Sequence, residues 1–131
     1  MLTPVEPRIR IEVVDCHPAD GQPGRWQVAW LVHNDEPVAL EIHNAWIPHG
    51  QFRGAGRVPL AAAVESGGSA RVEFRVAASE VAGTVVHNAF LILHVSSGGR
   101  DWRVFARMRV EFDAEARPRP FVEVVTSQSL Q

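Results

Sequence analysis

Hydrophobic and polar positions alternate along most of the chain, the two-residue period of strands with one buried face. Ile9, Ile11 and Val13 alternate with Arg8, Arg10 and Glu12. Trp26, Val28, Trp30 and Val32 share one face of the next run, and Val38, Leu40 and Ile42 share one face of the third. In SARVEFRV, Val72, Phe74 and Val76 point one way while Arg71, Glu73 and Arg75 point the other. The runs are separated by DGQPGR, NDEP, HGQFRGAG, SGG and SSGGR, whose glycines, prolines and small polar residues suit turns. The pattern predicts seven strands, near 8–15, 25–34, 37–47, 57–65, 69–77, 84–96 and 101–112, and almost no helix.

Short antiparallel strands at this spacing predict an all-β, seven-stranded immunoglobulin-like sandwich over residues 8–112. An N-terminal arm (1–7) precedes it. A C-terminal tail (113–131) follows, whose Phe121, Val122, Val124 and Val125 suffice for an extra strand or a dimerisation arm. The stretch PLAAAVESGGSARVEFRV resembles the D–E hairpin of bacterial immunoglobulin-like and fibronectin type III-like domains. That resemblance is at superfamily level. It implies a sandwich that binds proteins or carries other domains, and it fixes no activity. The Cys…Trp…Cys spacing and tyrosine corner of antibody domains are absent.

Turn geometry assigns faces. A three-residue SGG loop at 66–68 would set Val64 opposite Ala70, Ala62 opposite Val72 and Leu60 opposite Phe74, an all-apolar register. Pro59 then faces outward on an edge strand. A tight NDEP turn would mix the faces of its two strands, so the chain is expected to arch there between sheets. A Gly98-Gly99 turn pairs Ser97 with Arg100, Val95 with Trp102, Leu93 with Val104, Leu91 with Ala106 and Ala89 with Met108. Continued without interruption, it pairs Val85 with Phe112 and sets His87 inward against Val110. The other face pairs His94 with Arg103, Ile92 with Phe105, Phe90 with Arg107 and Asn88 with Arg109.

That second face mixes large apolar groups with arginine, the composition of interface cores. Phe90, Ile92, His94, Arg103, Phe105, Arg107 and Arg109 are therefore the candidate binding surface, for a homodimer or a protein partner, unless the tail covers it. A second candidate is the irregular segment Trp46 to Arg57, with Trp46, His49, Phe52, Arg53 and Arg57. Presented on a rigid scaffold, it would suit a protease-inhibitor-like loop.

IHNAWIPHG (42–50) and VHNAFLILH (86–94) hold four of the six histidines. The strand phases put His43 outward and Trp46 inward, but His87 inward and Phe90 outward, so the two segments read as out of step. A metal or small-ligand site at His43, His49 and His94 is the alternative function. No His-x-His, His-Glu-x-x-His or Cys-x-x-Cys spacing supports it. Cys16 and His17 are adjacent on an extended strand and point apart, so they form no catalytic pair.

Composition narrows the classes. A net charge of −2 argues against bulk-charge binding of nucleic acid, and all 13 basic residues are arginine. A single cysteine excludes an internal disulfide, and no apolar run reaches membrane-spanning length. The expectation is a cytoplasmic, non-catalytic interaction module, a homodimer or bound to a protein partner, without cofactor, nucleic-acid partner or membrane association.

Overall fold

The computed structural model describes residues 5–130. Residues 1–4 of the expected N-terminal arm lie outside the described residues, as does the tail's last residue, 131. Among the described residues ten strands replace the expected seven: β1 (Ile9–Pro18), β2 (Arg25–Asn34), β3 (Leu40–Trp46), β4 (Pro48–His49), β5 (Phe52–Gly54), β6 (Val58–Val64), β7 (Ser69–Ala77), β8 (Val85–Ser97), β9 (Arg100–Phe112) and β10 (Pro118–Ser129). They form two five-stranded antiparallel sheets, β1-β2-β7-β5-β4 (sheet A) and β10-β9-β8-β3-β6 (sheet B). The additions are the short pair β4–β5 and the tail strand β10. Among the described residues, no helix is long and apolar enough to cross a membrane.

The inward residues of both sheets make one core. Val28, Trp30 and Val32 of β2 and Val72, Phe74 and Val76 of β7 meet Leu40, Ile42, Leu91, Leu93, Val104 and Met108 of sheet B. Trp30 spans the layers: its ring lies 5.0 Å from Phe74, and its indole N–H donates to Met108 Sδ at 3.4 Å.

The chain does arch between sheets at NDEP, since β2 and β3 lie in different sheets. The SGG segment, however, is a second arch rather than a hairpin. β6 pairs with β3 and β7 with β2, so the expected Val64–Ala70, Ala62–Val72 and Leu60–Phe74 pairs do not form. Apolar faces that fit side by side also fit face to face across a core, so alternation alone did not separate the two arrangements. Asn34 decides the matter. Its backbone N–H donates to Gly68 O, its carbonyl accepts from Gly67 N–H, and its buried amide donates to Val38 O and Val64 O. One side chain thus ties both arches. Pro59 does face outward on an edge strand, β6.

In the β8–β9 hairpin the register from Ser97–Arg100 to Ala89–Met108 is as expected. Beyond Ala89 a bulge intervenes. Asn88 takes φ +58°, and Val86, rather than His87, pairs with Val110. His87 is exposed and Val86 buried, which corrects the inward placement of His87 and removes the Val85–Phe112 and Asn88–Arg109 pairs.

β3 carries a corresponding bulge: Ile42 pairs with Val95, but Asn44 with His94, leaving His43 as the extra residue against β8. Ile42 and Ala45 are buried, and Trp46 faces outward opposite Ile92, not inward as expected. Ile-His-Asn-Ala-Trp and Val-His-Asn-Ala-Phe therefore share one pattern: apolar in, His-Asn bulged out, alanine in, aromatic out. The segments are in step. A bulge inserts one residue and so restores inward alanine after two polar positions.

Candidate functional site on the outer face of sheet B

With the β3 bulge in place, the outer face of sheet B is laid out in rows across its strands. Trp46, Ile92, Phe105 and Thr126 form one row; Asn44, His94, Arg103 and Gln128 form the next; Glu41, Ser96 and Asp101 follow. Of the second candidate segment, Trp46 joins the hairpin face, with the Arg57 guanidinium over its ring.

Its apolar part is less open than expected. Ile92 is buried, Phe90 and Phe105 are half-buried, and their rings meet edge to face at 6.2 Å. The tail does not lie over them. β10 pairs beside β9 and widens the sheet, bringing Phe121 5.0 Å beneath the Arg109 guanidinium. Glu123 ion-pairs with Arg109 at 3.3 Å and Arg107 at 3.8 Å, and Glu111 takes Arg109 at 2.8 Å. Arg57 and Arg103 differ. Their guanidinium carbons lie 4.3 and 5.7 Å from the Trp46 ring, and neither has a carboxylate partner among the described residues.

Next to Trp46 is the polar cluster. The His43 and His94 rings lie 4.8 Å apart. His43 Nε2 is 2.6 Å from Ser96 Oγ, which donates at 2.5 Å to Asp101 Oδ1. Ser96 has one hydroxyl proton and the carboxylate can only accept, so that proton points at Asp101 and His43 Nε2 must carry hydrogen. The chain His43–Ser96–Asp101 thus leaves Ser96 without a base positioned to make it a nucleophile through histidine. The Ser96 hydrogen bond, with His94 and His43 nearby, holds the Asp101 carboxyl below its ordinary range. His94 Nε2 is 3.8 Å from Asp101 Oδ1, beyond hydrogen-bonding distance. It is also one of three buried polar atoms in a single cross-strand row that have no hydrogen-bond partner among the described residues, with Asn44 Oδ1 and Arg103 Nε.

His43, His94 and Asp101 each offer a ligand atom, all within 4.8 Å of one another. The histidine pair was legible in sequence, but His49 does not join it. His49 lies in sheet A, where its Nδ1 accepts the Gln51 backbone N–H and closes the β4–β5 turn. Asp101 was missed, although the Ser97–Arg100 register already implied Ser96 opposite Asp101.

The 46–57 segment projects less than a presented loop would. Phe52 and Ile47 are wholly buried, so Phe52 is a core residue rather than a contact residue. Gly54 lets the strand pass close to Phe74, where a Cβ would stand 3.1 Å from the ring. Arg53 stays exposed on β5, paired with Ala77. Elsewhere, His17 bonds Asp15 at 2.9 Å while Cys16, half-buried, turns away. Comparison with known proteins finds no matching family model, no matching curated protein and no matching solved structure.

Proposed function

We propose that this chain is a non-catalytic binding module of immunoglobulin-like build, acting in the cytoplasm, that holds an acidic segment of a protein partner on the outer face of sheet B. The build is supported by strand order. Setting aside β4, β5 and β10, the first, second and fifth strands share one sheet, and the third, sixth and seventh share the other, with the fourth beside the third.

The observation that carries the binding role is Trp46 flanked by Arg57 and Arg103. An amphipathic ring beside two cations lacking carboxylate partners is the residue set that anchors interfaces and grips carboxylates bidentately. By contrast, Arg107 and Arg109 are already neutralised by Glu123 and Glu111.

The test is a low-salt screen of immobilised Asp/Glu-rich peptides against the full chain. Binding is expected to weaken with salt and to be lost in Trp46→Ala and Arg103→Ala, but not in Arg53→Ala. Binding that ignores Arg103→Ala would overturn the reading. A dimer in light scattering that dissociates in Phe105→Asp would instead make a second copy the occupant of this face.

A further inference from the structure

We propose that His43, His94 and Asp101 bind a divalent transition-metal ion, represented by Zn²⁺, on the outer face of sheet B. This goes beyond the peptide-binding reading and stands on different side chains.

Three observations converge. The ligand types, two imidazoles and one carboxylate, form an N/N/O set that zinc and its neighbours accept with an open position for a further ligand. Their atoms lie within 4.8 Å of one another, and ligand atoms on one tetrahedral zinc stand roughly 3.3–3.5 Å apart. Side-chain torsions alone can close that difference, because all three residues sit on adjacent strands of one rigid sheet. Finally, His94 Nε2 is a buried nitrogen with no hydrogen-bond partner among the described residues, 3.8 Å from Asp101 Oδ1. That gap is too long for a hydrogen bond and close to the span of two ligands on a shared ion.

Ser96 completes the arrangement. Its hydroxyl bridges His43 Nε2 and Asp101 Oδ1 at 2.6 and 2.5 Å and so keeps the first and third ligands on one side of the sheet. Metal binding at His43 Nε2 replaces its hydrogen bond to Ser96 and leaves the single ring hydrogen on Nδ1. The β3 bulge is essential. Without the extra residue, His43 and Asn44 would not both face outward beside His94.

The experiment is calorimetric titration of Zn²⁺ into the full chain without a histidine tag, near neutral pH, with Co²⁺ absorption as a second readout of coordination. One equivalent is expected to bind, and Co²⁺ to give ligand-field bands. His43→Gln, His94→Gln and Asp101→Asn should each weaken Zn²⁺ by roughly tenfold or more, since even outer groups around such sites cost that much. His87→Gln, an exposed histidine on the same strand as His94, should change nothing. Absence of saturable one-equivalent binding would overturn the proposal. So would equal affinity in the His94→Gln and Asp101→Asn variants once circular dichroism shows them folded. Peptide binding lost with metal binding intact, or the reverse, separates this site from the Trp46 surface.

Discussion

The His43 ring lies against that of His94, centroids 4.8 Å apart and planes tilted by 46°, although the residue directly opposite His94 in the ladder is Asn44. The pairing exists because His43 is the extra residue of a bulge and leans over its neighbour strand. A comparable bulge at His87-Asn88 turns Val86 rather than His87 inward beyond Ala89. The histidine pair is a product of the β3 irregularity.

The β8 bulge depends on Asn88 holding φ +58°, a conformation that asparagine and glycine tolerate and β-branched residues do not. Asn88→Gly is expected to change stability by less than about 1 kcal/mol, and Asn88→Val to cost about 1–2 kcal/mol. Urea unfolding measures both. Equal midpoints for Asn88→Val and the parent chain would show that the bulge does not need this conformation.

Asn34 is wholly buried and its side chain makes three hydrogen bonds, to Val38 O, Val64 O and the Glu36 N–H. Asn34→Ala leaves those backbone groups without partners and should cost about 2–4 kcal/mol. Hydrogen exchange should show both arches, 34–40 and 64–69, opening together. Independent opening would contradict a shared tie.

Asp113 closes the turn into β10 by accepting the backbone N–H groups of Arg117 and Glu115 at 2.9 and 3.0 Å. The Arg117 hydrogen bond foremost, then that of Glu115, holds its carboxyl below the ordinary range. A lowered folded-state pKa contributes stability above the unfolded pKa, which is lost as pH falls through the folded value. Asp113→Asn should therefore lower the melting temperature near pH 7, and the gap should narrow only below about pH 4. A gap independent of pH down to acid denaturation would rule out the ionised carboxylate as its source.

Cys16 lines a cleft between the β1 and β10 edges with Val13, Arg119 and Phe121. Burial, with the Asp15 charge adding, pushes its thiol up to about 12. Thiolate is the reactive form, so iodoacetamide at pH 8 should label the folded chain far more slowly than the urea-unfolded chain. Comparable rates, followed by mass spectrometry, would refute this.

By itself the sequence determined the all-β class, most strand positions, the inward faces of β2 and β7, and the hairpin register from Ser97–Arg100 to Ala89–Met108. Those features follow from local periodicity and turn chemistry. Tertiary structure decided which strands became neighbours, because Val64 and Val72 are equally apolar whether they pair in one sheet or face each other across a core. It also decided the phase of every residue beyond a bulge. The signal was present in two consecutive polar residues, His-Asn, between inward apolar positions, but an uninterrupted alternation placed Trp46 and His87 on the wrong faces. His43, His94 and Asp101 come from three strands, and only the completed sheet, with β3 beside β8 and β8 beside β9, brings their ligand atoms within reach of one ion.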